Sequence, residues 1–218
     1  MRPLLLASAL ALLPAVARPA PAGPACHCFN DRTYDAARPS AADPYILATT
    51  RSSLLSAAYG VPKAELVRAV MMGAAAEDLW IARWAGARMG ADPAALLEAK
   101  GASGSWRAAL AAGGARLGRP FADRLARGAP EAELAALAVD DVLVSRAGAD
   151  AKALAALRAA GAGSEEAILA TVLAPKLRVP PGALLAPVRA GKATWGSTVQ
   201  SAGLTPRDLD RLVRQAVH

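Results

Sequence analysis

From position 44 onward, apolar residues fall at the three- and four-residue spacings of a helix face, and no stretch alternates with period two for long. The spacing predicts helices near 44–59, 63–73, 77–89, 93–100, 105–112 and 119–127. More follow near 131–146, 151–160, 164–177, 182–190, 195–202 and 206–217. Gly101 to Gly104 and Gly113 to Gly118 read as loops. Short connections make consecutive helices antiparallel neighbours. The expected fold class is therefore all-α: tandem short helical hairpins packed as an irregular bundle or array.

One short pattern marks the joints. It reads Gly60-Val61-Pro62-Lys63-Ala64-Glu65-Leu66 and returns as Gly90-Ala91-Asp92-Pro93-Ala94-Ala95-Leu96. Further copies begin at Gly148, at Arg178 and at Gly203, with Leu154, Leu184 and Leu209 in the leucine position. The first residue takes the left-handed conformation that stops a helix. Asp92, Asp150 and Thr205 are expected N-caps, with Pro93, Pro181 and Pro206 at the first helical position, where a missing N–H costs nothing. The leucine then packs back on the apolar residue before the cap. Asp43 and Pro44 are expected to open the first helix in the same way, as N-cap and first residue.

A longer echo spans two segments. Ile81-Ala82 through Pro93 and Leu96-Leu97 to Ser105-Trp106 resembles Leu169-Ala170 through Pro181 and Leu184-Leu185 to Thr194-Trp195, with one residue inserted. In both, a hydroxyl residue precedes Trp as an expected N-cap. Gly161-Ala162-Gly163 is the candidate boundary between similar halves, 44–161 and 164–218, of the helical-repeat domain at 44–218.

Composition agrees with helix. The chain of 218 residues is 54% hydrophobic but only 4% aromatic, so the core rests on Ala, Leu and a few large anchors. The formal charge is +7, yet the arginines are scattered singly and form no basic tail, as solvated helix faces do.

Residues 1–22 read as a signal peptide: Met1-Arg2, an apolar run from Pro3 to Val16, then small-x-small cleavage sites at Ala15-Val16-Ala17 and Ala20-Pro21-Ala22. The expected location is exported, periplasmic or at the cell surface. No second long apolar run follows, so no transmembrane span is expected after signal removal.

Residues 23–43 form an expected extended segment that carries both cysteines and one of the two histidines. Three readings stay open for Cys26, His27 and Cys28. An oxidising compartment favours a Cys26–Cys28 disulfide, the leading reading, although a one-residue gap gives a strained ring. The alternative is a Cu or Zn site made by the two thiolates and His27, with Asp31 or a second molecule completing it. The third is lipid on Cys26. Asp31, Arg32 and Asp35 are expected to clasp the segment to the first helix.

Other chemistry finds little to build on. No histidine is placed for a hydrolase triad, and no phosphate loop or dinucleotide fingerprint occurs. Asp140-Asp141 and Glu165-Glu166 are expected as first-turn charges of helices, each neighbour pointing a different way. Trp80, Trp84, Trp106 and Trp195 are expected in the core rather than at a ligand. The joints share turn mechanics with helix-turn-helix readers, but an exported chain does not meet nucleic acid, so none is expected as partner.

The run Arg189-Ala190-Gly191-Lys192-Ala193-Thr194-Trp195-Gly196, followed by Ala202-Gly203-Leu204, resembles uncharacterised exported bacterial helical-repeat proteins with Gly-Lys-x-x-Trp-Gly segments. The first copy departs from it, with Arg107 where the second has Gly196. The resemblance implies an envelope location and a helical-repeat build, and brings no activity or catalytic residue. The expected role is a binding or scaffolding module with a protein or other envelope component as partner. A metal-binding or thiol-redox protein using the Cys-His-Cys segment is the alternative.

Overall fold

A computed structural model of the chain describes residues 35–217. The expected signal peptide, Cys26, His27 and Cys28, with Asp31 and Arg32, lie outside the described residues. The fold is all-α, a helical array, and no strand occurs among the described residues.

Four hairpins make up most of it, each a long helix followed by a short one. They are α1 (Asp43–Tyr59) with α2 (Lys63–Met71), and α3 (Ala76–Met89) with α4 (Pro93–Ser103). After α5 (Trp106–Ala109) and α6 (Arg119–Ala126) come α7 (Glu131–Ala147) with α8 (Ala151–Ala159), and α9 (Ser164–Leu177) with α10 (Pro181–Arg189). The chain ends with α11 (Trp195–Ser201) and α12 (Asp208–Ala216).

All five expected joints form. Gly60, Gly90, Gly148 and Gly203 have φ between 63° and 69°, and Arg178 takes the same conformation at φ 56°. Arg178 is the one non-glycine residue with positive φ among the described residues. The leucine of each joint is buried, from Leu209 at 0% exposure to Leu184 at 9%. Asp92 and Asp150 cap as expected, accepting from the N–H groups of Ala94 and Ala153. Ser105 and Thr194 cap the helices that begin at Trp106 and Trp195.

Several boundaries differ, each for a local reason. The α4 helix runs through the expected loop to Ser103, whose hydroxyl donates back to the Ala99 carbonyl, and stops at Gly104 with φ 74°. The expected helix at 105–112 ends after Ala109, and the chain tightens into a 3-10 segment at Ala111–Arg116. Thr205 does not cap α12. The relation is reversed: the Asp208 carboxylate accepts from both the N–H and the hydroxyl of Thr205, and 205–207 becomes a turn. Asp43 is likewise not the N-cap of α1 but its first residue, preceded by a 3-10 turn at Pro39–Ala42.

The α1 helix occupies the centre, packed by α2, α9, α11 and α12. That position explains why its buried residues include Thr49, Thr50, Ser52, Ser53 and Ser56. Burying a hydroxyl is costly unless it is bonded. Here Thr50 and Ser52 donate to carbonyls one turn back, Ser56 to the Val61 carbonyl, and Ser53 to Asp210.

The echo in the sequence is a structural one. Asp78 in the first turn of α3 accepts from Lys100 at the end of α4, and Glu166 in the first turn of α9 accepts from Arg189 at the end of α10. The preceding acids, Glu77 and Glu165, both reach Arg51 of α1 at 2.7 Å. A single buried cluster includes residues on both sides of Gly161-Ala162-Gly163, from Leu54 to Leu173.

Candidate binding groove

The four tryptophans are core residues, none more than 4% exposed. The Trp84 indole N–H donates to Asp141 at 2.9 Å and that of Trp106 to Asp78 at 2.7 Å. Those of Trp80 and Trp195 have no acceptor among the described residues.

Trp84 also forms the back wall of a groove. The α7 helix lays Leu137, Asp141 and Val144 along one stripe, at the four- and three-residue spacing of a helix face. In the other hairpins the short helix folds back along its long partner. Here α8 instead packs on α10 and α9 and touches α7 only lightly, so the α7 stripe stays open. The walls are α6, through Pro120 and Phe121, and α8, through Ala151, Leu154 and Ala155. The groove has a cavity volume of about 370 Å³, within the range of ligand sites. Val144 on its floor is 40% exposed, a large apolar residue left facing solvent.

Its rigidity comes from stacking and paired charge. The rings of Trp84 and Phe121 lie with centroids 4.4 Å apart, tilted by 33°. Arg88 sits over the Trp84 ring at 4.8 Å and donates to Asp141 at 2.6 Å. Asp140 lines the groove as well and is held by a different partner, Arg158, which donates to it through Nε at 3.0 Å and Nη2 at 2.6 Å. Asp140-Asp141 is thus a mid-helix pair, not the first-turn pair expected from sequence. Adjacent residues of a helix diverge, so the two carboxylates serve different neighbours. Glu165-Glu166 is where it was expected, in the first turn of α9.

Every charge lining the groove is therefore already bonded, and the surface it offers a ligand is apolar. A second, much smaller cavity of about 50 Å³ lies between α1, α2 and α3, and the Arg51 and Glu165 side chains at its edge are bonded to each other. No cluster of three or more His, Cys, Asp or Glu able to hold a metal occurs among the described residues. No single described helix is long and apolar enough to cross a membrane, and α9 with α10 passes that test only as a pair bent by 120°.

Sequence reasoning placed the helices of this groove but not the groove. The Leu137 to Val144 stripe was legible as one face of a helix. Nothing local to α8 states that it turns to α10. No family model, no curated protein and no solved structure matches the chain.

Proposed function

We propose that this chain is an exported binding module of the cell envelope and that the groove between α3, α6, α7 and α8 is its ligand seat. The observation that carries the reading is the uncovered α7 stripe. A compact helical array ordinarily buries such a face, and an exposed apolar concavity with a rigid aromatic wall marks an interaction site. The apolar leader at 1–22 supports the envelope location.

Titration with the neutral, apolar fluorophore N-phenylnaphthylamine tests the seat. One saturable site is expected in the protein and in a Met72→Gln variant, which alters an 83% exposed residue elsewhere. A Val144→Asp variant, checked for retained helicity, is expected to lose it. Equal binding by both variants would remove the groove from consideration.

The second reading, a Cu- or Zn-binding or thiol-redox protein, is favoured by the clustering of both cysteines with His27. It predicts stoichiometric metal in the reduced protein that disappears in Cys28→Ser.

A further inference from the structure

The rim of the groove differs from its floor. Arg119 stands between the lining residues Gly118 and Pro120, and Lys152 follows the lining residue Ala151. Both are exposed, and neither has an ion-pair partner among the described residues, unlike Arg88 inside. The first turn of α6 contains no acidic residue and no side-chain cap, so its end of the groove carries only positive charge. The acid next to the lining residue Ala151, Asp150, is taken up by the Ala153 N–H. An apolar floor with an unpaired cation beside the lining residues of each wall complements a ligand that is apolar along its length and anionic at one end.

The shape narrows the class further. The walls α6 and α8 have eight and nine residues, about 12–14 Å of helix. A helical peptide would find room there for only about two turns, too few to hold its own conformation. An extended peptide would bring unpaired N–H and C=O groups against an apolar floor whose charged side chains are already bonded. An alkyl chain carries neither cost.

We infer that the groove takes a single-chain anionic amphiphile of the fatty-acid class, with its chain against Phe121, Leu137, Val144 and Leu154 and its carboxylate at the Arg119 and Lys152 lips. This rests on the groove being a ligand seat. It adds a sign of charge and a chain-like ligand, neither of which that reading requires.

Displacement of bound N-phenylnaphthylamine tests it, with dodecanoate and dodecyltrimethylammonium compared below their aggregation concentrations at low ionic strength. Dodecanoate is expected to displace the probe at about tenfold lower concentration than the cation, a preference that shrinks with added salt. An Arg119→Glu, Lys152→Glu double variant is expected to abolish or invert the preference while still binding the neutral probe. Equal displacement by the two amphiphiles, or a preference unchanged in the double variant, would overturn the inference and leave the seat standing. Absence of probe binding in the unaltered protein would instead remove the seat itself. An acidic peptide that displaced the probe where dodecanoate did not would transfer the site to a protein partner and also overturn the inference.

Discussion

Glu77 and Glu165 occupy the same place in two hairpins and bind the two ends of one guanidinium, that of Arg51, each at 2.7 Å. The central helix is thereby tied to the first turns of α3 and α9 at once. Burial alone would raise the Glu77 carboxyl, but the Arg51 charge and hydrogen bond overcome it and hold the group below the usual range. Each hairpin then uses its next acid, Asp78 or Glu166, for the cation at the end of its own short helix.

Arg51→Met leaves two half-buried carboxylates facing each other without a cation. A loss of about 3–5 kcal/mol is expected in urea unfolding. Adding Glu77→Gln and Glu165→Gln to that variant is expected to recover most of it, because the uncompensated charge is then gone.

At the start of α1, the Asp43 carboxylate accepts from the N–H groups of Trp195 at 3.2 Å and Gly196 at 2.7 Å. It caps α11 instead of its own helix. A β-carbon at 196 would stand 1.9 Å from the Pro39 carbonyl oxygen. Gly196→Ala is therefore expected to cost at least about 2 kcal/mol by displacing backbone. Gly182→Ala, where a β-carbon meets nothing within 4 Å, is expected to be neutral or slightly stabilising. Comparable losses in both would refute the close approach. The same contact accounts for the difference between the two copies: Arg107, at the matching position of α5, is exposed.

Asp78 serves two donors, the buried indole of Trp106 and the ammonium of Lys100. Asp78→Ala strands the indole and leaves Lys100 only Glu131 at 3.6 Å, and is expected to cost about 2–3 kcal/mol, whereas Asp78→Asn keeps an acceptor for the indole and is expected to cost about 1 kcal/mol. Equal losses would show that the ion pair, not the indole bond, carries the stability.

Arg178 performs a glycine's task at the α9–α10 joint with φ 56°. Left-handed backbone costs a side-chain-bearing residue about 1–2 kcal/mol. Arg178→Gly removes that strain while increasing the freedom of the unfolded chain, so a net gain of about 0.5 kcal/mol is expected. The check is a higher urea midpoint at unchanged slope.

Asp210 gives the clearest acid dependence. Burial opposes its ionisation, but hydrogen bonds from Ser53, Arg214 and Lys63 outweigh that and bring its pKa from 3.8 to about 2. A depressed carboxyl contributes stability that is fully present above the unfolded value and is lost as pH falls through the folded one. The window is thus from near pH 4 down to about pH 2, with about 2 kcal/mol at stake. Asp210→Asn is expected to be less stable at neutral pH and to show a flatter acid limb; an unchanged limb would contradict the assignment.

What the sequence determined by itself was local. Helix content, the five chain reversals, the buried leucine of each joint and the capping roles of Asp92, Asp150, Ser105 and Thr194 depend on a few consecutive residues, whose backbone preferences act before any long-range contact forms. Asp43 and Thr205 fit the same local rule and broke it. The Asp43 carboxylate had donors on α11 within reach, and the Asp208 carboxylate turned back on Thr205. The hydroxyl-rich face of α1 carried no sign of being central, because Thr50 and Ser52 satisfy themselves within the helix and so tolerate burial that composition argues against. The groove was decided by tertiary structure alone. It exists because α8 buries Leu154 and Leu157 while packing on α10 and α9 more than on α7. That competition among distant faces is won by total buried area and leaves no mark in any short stretch of chain.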